Sequence, residues 1–158
     1  MPLIYNQVVY DDCQLAIWEI TESFEQMHDK VHFFQGEEES LYNYKSSVRQ
    51  LEWLSVRRLL REVKGDPTRI IYNEQREHFL LNSDQHISIS HSRNLTAVLL
   101  SDTKKLGLDL EYMVQNIEKV AHKFLNNDEY IIDSRKKRNY HMYIHWCAKE
   151  ALYKLCDK

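Results

Sequence analysis

The sequence predicts an α+β protein with a mostly antiparallel sheet and packed helices. Two observations lead to this prediction. Short apolar runs separated by polar turns occupy the middle of the chain, and segments with the apolar spacing of helices flank them. The length of 158 residues suffices for one domain with a full core and is short for two.

The composition argues against several classes of protein. Hydrophobic residues make up 43% of the chain and charged residues 28%, which is ordinary for a soluble globular protein. A net charge of −3 argues against bulk nucleic-acid binding, which normally needs a strongly basic surface. No apolar run approaches the roughly 20 residues that span a bilayer, and the first residues lack the pattern of a secretory signal. We therefore expect a cytoplasmic protein with no nucleic-acid or membrane partner.

The N-terminal part predicts two strands followed by helices. Residues 3–10 and 14–20 are rich in β-branched and aromatic residues, as strands are. Residues 21–34 are polar and partly helical in pattern. Residues 47–63 carry apolar side chains at the spacing of an amphipathic helix, and the breakers at 64–67 end it.

The second part predicts short strands and then further helices. The strand-like runs are separated by polar turns and cover 69–72, 78–81, 86–90, 96–101 and 106–111. Helical patterns take over afterwards, at 117–125, 126–134 and 140–155. Strands in the middle flanked by helices are the reason for the α+β prediction.

The run "LGLDLEY" at 106–112 places two acids in an apolar, strand-like segment. Side chains two apart on a strand share a face, so Asp109 and Glu111 look the same way while Leu108 and Leu110 take the other face. Two neighbouring carboxylates repel each other unless a proton, a cation or a basic group lies between them. The alternative is that Glu111 ends the strand in solvent and Asp109 caps a nearby group.

The final helix carries "WCAKEALYK", in which Glu150 and Lys154 are four apart and share one face. Lys149 lies beside them along the chain. The simpler interpretation is an exposed ion pair worth roughly a few tenths of a kcal/mol. However, apolar residues of the same helix, Trp146 among them, indicate that much of it is packed, and a charge near a packed face needs a partner.

The run "HISISHS" alternates isoleucine and serine and ends where the chain turns. His91 stands there between Ser90 and Ser92. Polar side chains at a strand end often supply hydrogen-bond donors to a ligand, although a lone histidine in a turn is more often structural. The motif alone leaves both interpretations open.

In this order and at these intervals, "ISISHS", "GLDLE" and "WCAKEALYK" resemble the signature of the 4′-phosphopantetheinyl transferases, particularly the larger monomeric type. The resemblance runs from about Gln85 to Lys154, and "HKFLNNDEY" between the motifs is similar to a helix junction of that family. It implies two similar halves, the first at 1–104 and a partial second half at 105–158. Because members usually continue past the K-E-A-x-x-K helix, we expect this second half to be incomplete.

The N-terminal part resembles the family less sharply. In "RQLEWLSVRRLLREVKG" the pattern E-W-L-x-x-R places Arg57 where the family has an arginine that reaches the adenosine phosphates of coenzyme A. A solvated basic face explains this arginine equally well. Relatives tend to have G-K-P-Y or G-R-P-Y before the serine strand, and this chain has "REHFLL" instead. Arg76 or His78 would have to replace the missing basic residue.

The resemblance implies transfer of the 4′-phosphopantetheine arm from coenzyme A to a serine of an acyl or peptidyl carrier protein. Mg²⁺ would be bound by Asp109, Glu111 and Glu150, an all-oxygen set that suits this ion. Glu150 would also be the general base for the serine hydroxyl. The implied catalytic residues are Glu150, Lys154 and His91, and the implied coenzyme-binding residues are Arg57, Ser90, His91, Lys149 and Lys154.

Two other functions remain open on the sequence. A non-catalytic module would bind coenzyme A or a carrier protein without transferring anything, and nucleotide binding without turnover would reveal it. A Mg²⁺-dependent pyrophosphate hydrolase would use the same acids to direct water, and it would need no carrier protein.

Overall fold

A computed structural model describes residues 2–74, 77–113 and 117–156, apart from the side chains of residues 135 and 136. The strands of this part of the chain are β1 (Leu3–Tyr10), β2 (Cys13–Glu19), β3 (Ile70–Tyr72), β4 (His78–Leu80), β5 (His86–Ser92) and β6 (Leu95–Ser101). Its helices are α1 (Phe24–His28), α2 (Glu37–Tyr42), α3 (Ser47–Lys64), a 3₁₀ helix (Ile117–Lys123) and α4 (Arg135–Cys156). None of these helices is both long and apolar enough to cross a membrane.

The main sheet is antiparallel throughout. Within the described ranges it has four strands, in the order β1-β2-β6-β5. β1 and β2 form one hairpin, and β5 and β6 form another whose turn holds Arg93 at a φ of 56°. β3 and β4 pair separately as a short antiparallel ladder. The predicted α+β class with a mostly antiparallel sheet is therefore confirmed.

Helix α3 packs its apolar face against β2 and β6 and supplies much of the main core. Ser46 caps its first turn by accepting a backbone N–H, and Gly65 ends it in the left-handed region at a φ of 81°. The hydroxyls of Ser55 and Thr96 bond each other at 2.6 Å, which satisfies two buried polar groups between helix and sheet. The helix predicted at 47–63 is confirmed.

Two predicted elements are wrong. Residues 106–111 form no strand in the described sheets, and residues 126–134 are irregular, with a turn at 127–128, instead of helical. In both segments side chains accept the backbone N–H groups: serines of β5 do so in the first, and Glu129 and His141 do so in the second. Side-chain acceptors of this kind compete with the backbone bonds that a strand or helix requires.

The C-terminal part has a small core of its own. Ile117, Met142 and Tyr143 are buried together, and partly buried apolar side chains surround them. The main core is much larger and extends from β2 through α3 to the short strands. The predicted division of the chain at 1–104 and 105–158 stays a prediction, as does the basic role of Arg76, which lies outside the described residues.

Candidate active site

A ladder of serine hydroxyls holds the acid-bearing segment beside β5. Ser88, Ser90 and Ser92, which we call the serine ladder, alternate along the strand and so share one of its faces. Their hydroxyls accept, in order, the N–H groups of Leu108 at 3.0 Å, Leu110 at 3.1 Å and Tyr112 at 3.0 Å. Because each bond advances two residues on both sides, the intervening residues 109 and 111 have equivalent places in the ladder.

Asp109 is nearly buried, with 8% of its side chain exposed. Its Oδ1 accepts hydrogen bonds from the Lys154 ammonium at 3.0 Å and from the Ser90 hydroxyl at 3.3 Å. Its Oδ2 is buried and has no hydrogen-bond partner in the described part of the chain. A buried carboxylate oxygen without a partner is costly, so this atom is suited to a further donor or cation.

Cys147, on α4, lies close enough to Asp109 and Glu111 for their carboxylates to act on its thiol. Burial, and secondarily the carboxylate of Asp109, raises the pKa of Cys147 to about 12. The thiol is therefore protonated throughout the physiological range.

Glu111 is bound at both of its carboxylate oxygens. Its Oε2 accepts the Ser92 hydroxyl at 3.2 Å, and its Oε1 accepts the indole N–H of Trp146 at 3.2 Å. The first donor comes from β5 and the second from α4. The carboxylate thus bridges the end of the sheet and the final helix.

Helix α4 approaches the acid-bearing segment closely. A Cβ atom on Gly107 would collide with the carbonyl oxygen of Ala151, so only glycine allows this approach. The Lys154 ammonium adds a second attachment by donating to the carbonyl of Leu108 at 2.8 Å. Backbone contact and ion pair together dock the helix on the segment.

Glu150, the predicted base, lies between two hydrogen-bonded residues on one face of α4. Trp146, Glu150 and Lys154 recur at intervals of four and so share a face of the helix. Trp146 bonds Glu111 and Lys154 bonds Asp109, which leaves Glu150 between them. Glu150 is half-buried and forms no hydrogen bond or ion pair with any residue that the structure describes.

The three predicted metal ligands are not gathered into one coordination group. Among the described residues, no cluster of three or more His, Cys, Asp or Glu side chains is placed to hold a metal ion. Asp109 and Glu111 share the serine ladder, whereas Glu150 approaches from α4. The protein therefore contributes two neighbouring carboxylates and a third that stands apart.

Lys149 is engaged in the C-terminal core. Its ammonium pairs with Glu129 at 2.7 Å and also donates to the carbonyl of Phe124. The hydrogen bond from this lysine is the main cause that lowers the pKa of Glu129. The charge of Lys149 therefore stabilises the turn that precedes α4.

A polar cleft of about 210 Å³ opens between α3 and the strands β4 and β5. It combines cationic, aromatic and histidine side chains, and its lining is Tyr44, Arg49, Glu52, Trp53, Val56, Arg57, Tyr72, His78, Ile89 and His91. His91 lies on the opposite face of β5 from the serine ladder, because side chains alternate along a strand. One strand end therefore separates the cleft from the acids.

The surroundings of both histidines of the cleft favour the uncharged ring. Burial is the main cause that lowers the pKa of His78 and of His91. The positive charge of Lys154 lowers both further, while Glu52, whose carboxylate is 4.0 Å from His91, opposes the shift at that residue.

Arg57 lines the cleft but already has internal partners. Its Nε and Nη2 donate to Glu37 at 3.0 and 2.8 Å, and its Nη1 donates to the Trp53 carbonyl at 3.3 Å. The guanidinium also lies over the Trp53 ring, 3.1 Å from its centroid. The more open cation is Arg49, whose side chain is 61% exposed and pairs with Glu52.

Three residues of the site have no assigned role in the sequence motifs. Arg49 could have been found from its position on the helix predicted to reach the coenzyme phosphates. Ser92 and Trp146 contact Glu111 across 19 and 35 residues of chain, and no local pattern marks such contacts. The packed role that the sequence indicates for Trp146 is present too, in an edge-on contact with Phe124.

Comparison with known proteins finds a family that the C-terminal part of the chain is similar to. The family model of the 4′-phosphopantetheinyl transferase superfamily matches residues 105–158, about a third of the chain. The resemblance predicted from the motifs is confirmed over this segment, which contains both acids and α4. No curated protein matches the chain significantly. The match covers the acid-bearing segment and α4 and begins after the serine ladder.

Proposed function

We propose that this chain transfers the 4′-phosphopantetheine arm of coenzyme A to a serine of an acyl or peptidyl carrier protein, in a Mg²⁺-dependent synthesis of the holo-carrier protein. One observation favours this function above others. The segment that matches the superfamily holds its two acids between the serine ladder and one face of α4. That arrangement concentrates negative charge where a cation-bound pyrophosphate would react.

The cleft suits the adenosine bisphosphate end of coenzyme A. Arg49 offers an exposed guanidinium for phosphate, and the surrounding aromatic rings offer faces for the base. His91, on the cleft side of the strand end, is placed to donate a hydrogen bond to the pyrophosphate. Ser90 donates its hydroxyl to Asp109 and so contributes by holding that acid. Arg57 and Lys149 stabilise the fold instead of binding phosphate, because their charges are already paired with Glu37 and Glu129.

The residues fit a magnesium ion that substrate oxygens complete. Asp109 and Glu111 would hold it, with Glu150 as the third carboxylate. The buried Oδ2 of Asp109 lacks a partner among the described residues, and the donors are all oxygen atoms. Mg²⁺ is usually held in this way, by one or two carboxylates with phosphate oxygens and water. When bound, it stabilises negative charge on the pyrophosphate.

The side chains of α4 serve the transfer itself. The carrier serine oxygen forms a bond to the β-phosphorus of coenzyme A while the bridging P–O bond to the nucleotide breaks. Glu150 takes the serine proton, which its lack of a partner within the described residues leaves it free to do. Lys154 exchanges its ion pair with Asp109 for a phosphate oxygen of the bound substrate, and adenosine 3′,5′-bisphosphate leaves with the electron pair of the broken bond.

The test is the intact mass of an apo acyl carrier protein after incubation with this chain, coenzyme A and Mg²⁺. We expect the carrier to gain one phosphopantetheine arm, and EDTA to abolish the gain. Glu150→Gln should slow transfer by at least about a hundredfold, since general bases typically contribute that much. Asp128→Asn, a change to an exposed acid of the same C-terminal part, is the matched control and should transfer normally.

Failure to modify any carrier, with coenzyme A still bound, would favour a non-catalytic coenzyme A or carrier-protein binding module. Two observations support that second function. Lys154 already forms an ion pair with Asp109, and Glu150 does not form a metal-binding cluster with the other two acids among the described residues. Calorimetry with coenzyme A alone separates binding from turnover. Cleavage of coenzyme A without a carrier would contradict both and indicate hydrolysis.

A further inference from the structure

We infer that Ser92 and Trp146 are positioning residues that hold Glu111 in place to bind a divalent cation. The inference rests on the proposed function, and it adds two residues to which the sequence motifs assign no chemical role. Neither side chain bonds Asp109. Both donate a hydrogen bond to the carboxylate of Glu111.

The two donors reach Glu111 from different elements. Ser92, at the end of β5, bonds Oε2, and Trp146, on α4, bonds Oε1, each at 3.2 Å. A carboxylate with a single bond can still rotate about its last torsion. Bonds to both oxygens fix the plane of the carboxylate, so its remaining lone pairs keep one direction.

The neutrality of both donors distinguishes Glu111 from Asp109. The ammonium of Lys154 compensates the charge of Asp109 at 3.0 Å. Among the described residues, no lysine, arginine or histidine forms an ion pair with Glu111. A hydroxyl and an indole orient a carboxylate without cancelling its charge. Glu111 therefore keeps its full charge for a cation, in a fixed orientation.

Ser92 has two functions, and Ser88 has only one of them. The Ser92 hydroxyl accepts the N–H of Tyr112 and donates to Glu111. The Ser88 hydroxyl accepts the N–H of Leu108 in the same way. The residue before Leu108 is Gly107, which has no carboxylate to receive a bond. Ser88 thus provides a matched comparison for the loss of a ladder bond alone.

The test measures Mn²⁺ affinity by electron paramagnetic resonance on the full chain with the metal alone, and then the kinetics of carrier modification. Trp146→Phe removes the indole N–H but keeps an aromatic ring against Phe124. Ser92→Ala removes the hydroxyl, and Ser92→Thr retains one. Ser88→Ala removes a ladder bond without touching Glu111.

We expect Trp146→Phe and Ser92→Ala each to weaken Mn²⁺ binding by about tenfold or more, as is usual for groups that orient metal ligands. Transfer by these variants should recover at high metal concentration, whereas KM for coenzyme A should be little changed. Ser92→Thr should restore affinity, and Ser88→Ala should lower stability without the loss of affinity. Affinities of Trp146→Phe and Ser92→Ala within about twofold of the wild type would overturn the inference.

A second measurement separates this inference from the proposed function. The indole N–H signal of Trp146, assigned by its absence in Trp146→Phe, should exchange slowly with solvent and become fast in Glu111→Ala. Fast exchange in the wild type would overturn the inference even if transfer occurs. Normal Mn²⁺ binding and slow indole exchange without any transfer would contradict the proposed reaction and leave the positioning of Glu111 supported.

Discussion

The two arginines that line the cleft differ in the use of their charge: one stabilises the fold and the other is open to a ligand. The Arg57 guanidinium is buried, so it needs a carboxylate beside it, and Glu37 provides one at 2.8 Å. Arg49 lies two turns earlier on α3 and remains largely exposed. The same helix therefore supplies one arginine that supports the wall of the cleft and another that is open to an anion.

The two half-buried histidines of the cleft predict a free energy of unfolding that falls as the solution becomes more acidic. Because burial lowers the pKa of His78 and His91 in the fold, the unfolded chain binds more protons than the folded one below its ordinary pKa near 6.5. The free energy of unfolding should therefore decrease between about pH 7.5 and about pH 5.5. Urea unfolding at the two values measures the decrease.

The double variant His78→Asn/His91→Asn is the control for this prediction, since asparagine keeps polarity but does not titrate. Its free energy of unfolding should depend less on pH than that of the wild type. Glu52 attracts and Arg49 and Lys154 repel the proton at His91, and these groups are unchanged in the variant. Identical pH dependence in both proteins would show that the two rings do not carry the effect.

Some residues of the site could be predicted from spacing, and others could not. The interval of two between Asp109 and Glu111 indicated that both would share an environment, and the serine ladder gives them equivalent places. The bond between Asp109 and Lys154 spans 45 residues, so the sequence could predict it only through the resemblance to a family. The partner of Arg57 is Glu37 on α2, and the sequence around the arginine gives no sign of this pairing.

The close packing of α4 on the acid-bearing segment predicts a strong effect of one methyl group. Gly107→Ala would place a Cβ against the backbone oxygen of Ala151, and backbone cannot move aside as a flexible side chain can. We expect a loss of about 1–3 kcal/mol in the free energy of unfolding, as for other overpacked sites. Urea denaturation followed by circular dichroism measures the loss.

The second variant Gly107→Ala/Ala151→Gly tests the stated cause. Since the collision is with the carbonyl oxygen, removing the Ala151 side chain should not restore stability. Restoration would mean that the side chain of Ala151 was the obstacle. An unchanged stability in Gly107→Ala alone would contradict the close approach of the helix.

Helices and strands with a strong periodicity of apolar residues were predictable. Segments held by hydrogen bonds from backbone N–H groups to side chains were not. The amphipathic helix at 47–63 and the strands around "ISIS" follow from apolar spacing. The segment 106–111 has the composition of a strand, yet serine hydroxyls take the N–H groups that a backbone ladder would use. Alternating composition shows which way side chains face, and it does not show which atom accepts the hydrogen bond.

At the scale of the whole molecule, the two cores differ greatly in size. The main core joins the sheet, α1 and α3, whereas the C-terminal cluster has three buried members in the described chain. Regions with few buried contacts open at lower free energy. Amides of α4 should therefore exchange hydrogen faster than those of α3, which hydrogen-exchange mass spectrometry would measure.

Comparison of β6 with α3 provides the internal reference for this exchange experiment. Both belong to the main core, so their slowest amides should open with similar free energies. If the amides of α4 were as protected as these two elements, the molecule would unfold as one cooperative unit. The fold class was predictable from the sequence, but this unequal division of the core depends on long-range packing that no local pattern reveals.

The serine ladder makes the placement of the acids an all-or-none property. Every bond in it steps by two residues, so a slip of one residue would exchange the acids at 109 and 111 with their leucine neighbours. Intermediate placements do not exist, because hydroxyls are offered only at every second position of β5. A change of one residue in the length of the loop before Gly107 must therefore be accommodated within the loop, or it removes both carboxylates from the site together.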